Sequence, residues 1–126
     1  MMKTVSIWQK FLNLFNRHPA SKLTDEKVKD GVWYAKTENG DYLLGIDESV
    51  YQQIGKITFA DFPTQLKIIE TDDDLLDIEG DKSVETLKSP VSGRVIARNV
   101  TIGEDIDRLN TPDPKVNWIM KIEPAK

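Results

Sequence analysis

The chain predicts a mostly-β fold, a small sandwich or flattened barrel with one or two short helices and an extra N-terminal helix. Three observations carry this. From Gly31 onward, apolar and polar residues alternate with a period of two, as in strands with one wet face. The alternating runs are short, and turn formers such as Asn39-Gly40, Asp72-Asp73-Asp74 and Gly80-Asp81 separate them. Helical spacing is confined to the N-terminus and to short stretches elsewhere. A length of 126 residues suits one domain with a small core.

The N-terminal segment comes first. Ile7, Trp8, Phe11, Leu12 and Phe15 recur at helical spacing among Lys3, Gln9, Lys10, Asn13 and Arg17, and Pro19 stops the pattern. A polar stretch from Ala20 to Asp30 leads into the domain, so residues 1–30 are read as an amphipathic extension and 31–126 as the domain. Packing on its own domain or on a partner, binding at a membrane surface and mitochondrial targeting remain open for the segment. Residues 1–24 hold no acidic residue, but a single arginine weakens the targeting reading.

Val32–Lys36 reads as a strand, Thr37–Asp41 as an Asn-Gly turn and Tyr42–Ile46 as its partner strand. Asp47 to Gly55 is a short helix with an acidic start and a glycine stop. Strands follow at Lys56–Ala60, Leu66–Glu70 and Leu75–Glu79, the last two flanking the turn Thr71–Asp74. Val84–Leu87, Gly93–Asn99 and Trp118–Ile122 complete the set, with a short helix beginning at Glu104-Asp105-Ile106-Asp107. Trp33, Tyr34, Phe59 and Trp118 fall in alternating patterns and are expected in the core.

Composition excludes several functions. Residues 1–30 hold six Lys/Arg and three Asp/Glu, and residues 31–126 hold eleven and eighteen. A body with a net charge of −7 does not suit nucleic acid, whose affinity rests on clustered cations. With no cysteine there is no disulfide, thiolate nucleophile or Cys-ligated metal, so dithiol chemistry needs a group the chain does not encode. His18 has no partner acid or nucleophile nearby in sequence, and no nucleophile–base pair or metal constellation marks an enzyme. Asp72-Asp73-Asp74 lacks the alternating spacing and distal Glu of a calcium loop and reads as a solvated turn.

The candidate functional residue is Lys82, in Ile78-Glu79-Gly80-Asp81-Lys82-Ser83. Gly80 and Asp81 let the backbone reverse and lift the lysine outward, while Glu79 and Asp81 set carboxylates beside its ammonium. On these four residues alone an ordinary solvated surface lysine is the better reading. Ser89-Pro90-Val91-Ser92-Gly93, which opens a second strand at a fixed offset, counts against that reading.

Ile78–Lys82 followed by Ser89–Val95 resembles the lipoyl-lysine hairpin of lipoyl carrier domains. Biotin carriers resemble it less, since neither neighbour of Lys82 is Met. Leu44-Gly45-Ile46, Tyr51, Ile54-Gly55-Lys56-Ile57 and Phe62-Pro63 are similar to the segment upstream of the lysine in the glycine cleavage system H-protein family. Leu109-Asn110, Asp113-Pro114, Trp118 and Lys121-Ile122-Glu123-Pro124 resemble that family's closing stretch. The resemblance spans about residues 32–124. It implies a lipoyl-carrier (barrel-sandwich hybrid) fold and a non-enzymatic carrier that shuttles intermediates or lipoate on a lipoyl-lysine arm at Lys82. Lipoate would be covalent there, with Glu79, Gly80 and Asp81 read by the modifying enzyme. The implied partners are a lipoate–protein ligase or lipoyltransferase and the glycine cleavage enzymes or other lipoyl-dependent enzymes.

Three departures stand beside it. Asp30-Gly31-Val32 replaces the family's usual His-Glu before Trp33, the chain stops at Lys126 where a further helix is usual, and the N-terminal segment is additional. They resemble bacterial H-like variants, which implies an alternative role in lipoate relay or with macrodomain and sirtuin-type ADP-ribosyl enzymes. The same resemblance implies a bacterial cytoplasmic location.

Overall fold

In the computed structural model, which describes residues 23–125, nine strands form two sheets. They are β1 (Thr24–Lys29), β2 (Val32–Lys36), β3 (Tyr42–Ile46), β4 (Ile57–Asp61), β5 (Ile68–Ile69), β6 (Asp74–Gly80), β7 (Val84–Lys88), β8 (Gly93–Arg98) and β9 (Trp118–Pro124). Helix α1 spans Glu48–Ile54, two single 3-10 turns span Val100–Gly103 and Ile106–Arg108, and α2 spans Pro114–Asn117. One sheet has the order β1-β2-β3-β9-β8-β5 and the other β4-β6-β7. Neither closes on itself, so the sandwich alternative holds over the barrel. The expected N-terminal helix lies outside the described residues.

The core lies between the sheets. Val32, Leu44, Ile46, Ile119, Met120 and Ile122 come from the larger sheet, and Ile57, Leu75, Leu76, Ile78 and Leu87 from the smaller. Val50 and Ile54 add the buried face of α1. A second cluster of Leu23, Trp33, Ala35 and Leu43, with Trp118 packed on it, occupies the other face of the larger sheet. Strand alternation explains the split: Val32 and Tyr34 point one way, Trp33 and Ala35 the other.

Most elements fall where the periodicity places them, and the exceptions have physical causes. Thr24–Lys29, expected as a polar lead-in, is a strand pairing Val28 with Trp33 and Lys29 with Val32. All six of its residues are exposed, so it carries no apolar alternation to read. Asp30 (φ 49°) and Gly31 (φ 87°) are both left-handed, making Asp-Gly a two-residue turn of the primed hairpin type.

Leu66–Glu70 contracts to the two residues of β5. It does not pair with β6 across the Thr71–Asp74 turn; it crosses to the other sheet and pairs with β8. Phe59 is not core but 49% exposed. A register shift between Ile57 and Phe59 breaks the alternation of β4 and turns the ring outward, opposite the exposed Glu79.

Among the described residues, no helix is long and apolar enough to cross a membrane. Leu76→Ala, at a fully buried position, is expected to lower stability by about 2–5 kcal/mol in urea unfolding. Phe59→Ala is expected to cost under about 1 kcal/mol, as at a surface site.

Candidate functional site: the Lys82 hairpin

Strands β6 and β7 run antiparallel with Asp77 opposite Thr86, Ile78 opposite Glu85 and Glu79 opposite Val84. The Gly80 N–H donates to the Ser83 carbonyl (2.8 Å), leaving Asp81 and Lys82 at the tip. Both are exposed, as is Glu79. The lysine, its two acidic neighbours and Gly80 thus come together on one turn, as the sequence suggests.

What holds this tip is less visible in the sequence. The Lys82 N–H donates to the Ile54 carbonyl (2.9 Å) and the Asp81 N–H to the Lys56 carbonyl (3.0 Å). The Lys56 N–H donates in return to Asp81 Oδ1 (3.2 Å). Two backbone bonds and one side-chain bond therefore staple the tip to the last residue of α1 and to Lys56 just beyond it. The helix's terminal carbonyl at Ile54, which has no intrahelical donor of its own, is satisfied by the hairpin.

Two glycines permit the approach. A Cβ on Gly80 would lie 2.1 Å from the Ile54 carbonyl oxygen, so Gly80 is needed for proximity. Gly55 ends α1 at φ 82°, and a Cβ there would fall 1.9 Å from Asp81 Oδ1. At the other end, Asp47 caps α1 by accepting from the Ser49 N–H (3.1 Å).

The later motif residues fix α1 and β4 beneath the tip. The Tyr51 hydroxyl donates to the Leu109 carbonyl, and burial pushes its pKa well up. Asn110 behaves like a strand neighbour of Ile57: its Oδ1 accepts the Ile57 N–H (2.9 Å) and its Nδ2 donates to the Ile57 carbonyl (2.7 Å). Asp113 caps α2, ahead of Trp118 and β9. Ser89-Pro90-Val91-Ser92-Gly93 is the crossing from the smaller sheet to the larger. Ser89 is buried there, and its hydroxyl donates to the Val91 carbonyl (2.7 Å).

The acidic residues divide by role. Asp72 adopts a left-handed turn (φ 76°), and Asp73 Oδ2 accepts the Glu70 N–H (2.8 Å). Asp74 pairs with Lys88, whose hydrogen bond to it raises the lysine's pKa. Asp72 and Asp73 form the expected turn while Asp74 opens β6, and among the described residues no acidic or histidine group is arranged to hold a metal. Beside the hairpin lies a shallow groove of about 550 Å³ between exposed Phe59 and Val84, edged by Asp61, Asp77, Glu79 and Glu85. A separate cleft of about 620 Å³ is lined by Trp33, Tyr51, Asn110 and Asn117 with Glu26 and Asp47. Partial desolvation against the cleft and the nearby Asp47 charge raise the pKa of Glu26, which is otherwise exposed.

Sequence reading found the lysine but missed its supports. Gly55 reads as a helix stop and Asn110 as part of a terminal motif; neither carries a local mark of the long-range contact it makes.

Comparison with known proteins bears on this arrangement. The profile of the family described as "Glycine cleavage H-protein" matches residues 23–126. A "Probable glycine cleavage system H protein" of Pyrococcus furiosus is 32% identical over 105 residues, covering 78% of this chain and 78% of that protein. A "Glycine cleavage system H protein" of Leptospira biflexa serovar Patoc is 34% identical over 107 residues, covering 80% and 82%. In fold, the chain is similar to the crystal structure of a glycine cleavage system H protein from Mycobacterium marinum. The TM-score is 0.69 at 19% identity, over 79% of this chain and 83% of that one. The chain belongs to the glycine cleavage H-protein family, whose members are lipoyl carriers. These relatives lend no support to the alternative built on lipoate relay and ADP-ribosyl partners.

The staple makes a contrast measurable. Gly55→Ala should destabilise the protein by more than Gly40→Ala, which shares a left-handed backbone (φ 85°) but has open space around it. Amide exchange at Lys82 should accelerate in Gly55→Ala and stay unchanged in Gly40→Ala. For Tyr51, burial disfavours the phenolate, so the unfolded chain loses the proton first. Stability should therefore fall as pH rises above 10.0, the ordinary tyrosine value, and less steeply in Tyr51→Phe.

Proposed function

We propose that this member of the glycine cleavage H-protein family carries lipoate as an amide on Lys82. The observation that carries the reading is the combination of an exposed lysine side chain with a tip held by three hydrogen bonds, one to the last residue of α1 and two to Lys56 just beyond it. An enzyme can reach the amine freely, yet meets the same turn each time. The residues fit the group. Nothing else at the tip competes for the amine as a metal ligand or catalytic partner, and a cysteine-free chain needs an imported dithiol.

Amide formation at Nζ removes the lysine's charge and extends it by a long flexible chain. Lipoate supplies a dithiolane that opens to a dithiol and accepts electrons or a transferred group. The protein's own contribution is to hold the attachment point rigid on a small body. Tethering raises the effective concentration of the carried group at successive partner enzymes. The chain is a carrier and not itself an enzyme, its partners being a lipoate–protein ligase or lipoyltransferase and the glycine cleavage enzymes. Bacterial and archaeal relatives support a cytoplasmic setting.

Glu79, Gly80 and Asp81 are the recognition elements for the modifying enzyme. Gly80 and Asp81 act through shape, because the Asp81 carboxylate accepts the Lys56 N–H, while Glu79 remains exposed to meet a basic partner.

Intact-mass spectrometry after co-expression with a lipoate ligase tests the attachment. A lipoyl increment that disappears in Lys82→Arg is expected; no increment under several ligases would leave an unmodified interaction module as the better reading. Ligase kcat/KM should fall with rising ionic strength, since screening weakens steering by exposed carboxylates, and Glu79→Gln should lower it several-fold without changing Tm. Kinetics indifferent to salt would remove the electrostatic part. Glycine–bicarbonate exchange with the purified partner enzymes tests the carried cargo.

A further inference from the structure

We propose that the outer face of the smaller sheet, centred on Phe59 and Val84, is the docking surface for the enzyme that modifies Lys82. This rests on the assignment of Lys82 as the lipoyl site and extends recognition from the turn to the sheet behind it.

The strand register builds the face. Phe59 lies opposite Glu79 and Glu79 opposite Val84, so the three form one row across β4, β6 and β7. Asp61, Asp77 and Thr86 form the next row, where the Thr86 hydroxyl donates to Asp77 Oδ1 (2.7 Å). The register shift in β4 is what brings the Phe59 ring into the first row. Phe59 is 49% and Val84 66% exposed, and they flank Glu79 at two strand spacings, about 10 Å. They are the apolar walls of the groove of about 550 Å³ beside the hairpin.

Access to the amine is one-sided, and this points to the occupant. Gly80 shares the strand face of buried Ile78, and a Cβ on it would run into the Ile54 carbonyl, so the end of α1 covers the core side of the tip. Glu79 and Val84 face the other way, which leaves the outer side as the open approach. Reach selects the modifying enzyme among the partners. The Lys82 amine stands on a four-carbon stem, so an enzyme acting on it must bring its own surface against the neighbouring residues. A partner that handles the far end of a lipoyl arm is under no such constraint. Val84 is only two positions from the lysine, so the face is continuous with the tip. Charge specifies the partner's surface. Asp61, Glu79 and Glu85 make no ion pair among the described residues. An apolar contact ringed by Lys or Arg on the enzyme is therefore the complement of this face.

The test uses the full chain and a purified lipoate–protein ligase, with lipoylation followed by intact mass. Phe59→Ala combined with Val84→Ser is expected to raise the KM for the chain at least about tenfold, with kcat and the circular dichroism spectrum unchanged. Ile68→Thr combined with Val100→Thr, at comparably exposed apolar positions away from this face (59% and 63%), should leave KM as it is. A second readout needs no chemistry. Binding of the ligase to the Lys82→Arg chain, measured by calorimetry, should weaken by the same factor when Phe59→Ala and Val84→Ser are added. Unchanged KM and Kd in a chain that is lipoylated would overturn this proposal alone. No lipoylation of the natural chain would overturn the Lys82 assignment and the docking surface with it. Self-association of the natural chain that is lost in the double variant, at unchanged ligase affinity, would overturn the proposal by assigning the face to a second copy.

Discussion

The meeting of the α1 C-terminus with the β6–β7 tip is the contact on which the functional reading depends. The end of a helix and the end of a hairpin both leave backbone groups without partners, and here each end supplies the other's. Net worth per bond is about 0.5–1.5 kcal/mol, so the staple as a whole contributes a few kcal/mol. That is enough to keep the tip closed nearly all of the time without making it part of the core. The contact calls for glycine at both 55 and 80: a methyl group at 80 would meet the Ile54 carbonyl, and one at 55 would push aside the Asp81 carboxylate from a backbone at positive φ.

This arrangement separates two demands on a carrier. The attachment point must be presented in one geometry to an enzyme that modifies it, while the arm it bears must swing freely. Rigidity is assigned to the backbone of Gly80–Ser83 and freedom to the exposed side chain of Lys82. The residues of the closing stretch serve the first demand at a distance. Tyr51 ties α1 to Leu109, and Asn110 ties the same loop to the first residue of β4. Conserving the geometry of the lysine thus engages residues nearly sixty positions apart in sequence, and motifs at the two ends of the chain read as parts of one support.

Much of this was legible in the sequence where the signal is local. The period-two runs locate β2, β3, β6, β7, β8 and β9, and Asp47 and Gly55 bound α1 as written. Lys82 stands out through its neighbours and its offset from Ser89-Pro90. The failures come from effects that no window contains. Strand β1 is polar but for Val28 and sits exposed at a sheet edge, although Asp30-Gly31 announces its turn. The pairing of β5 with β8 overrides its nearness to β6, and a register shift turns Phe59 to solvent. Gly80 looks like a turn residue but serves close approach, which depends on a carbonyl 26 positions away.

The central claim is that position 82, and not simply a lysine in this region, is what the fold presents. Moving the amine by one residue tests it most directly, using Lys82→Ser combined with Ser83→Lys and mapping lipoylation by peptide mass spectrometry. Residue 82 donates its N–H to the helix end, whereas the carbonyl of residue 83 closes the hairpin, so the shifted lysine leaves the turn along a different direction. The account predicts a folded protein modified at least tenfold more slowly. Modification of the shifted lysine at the rate of the natural one would contradict it.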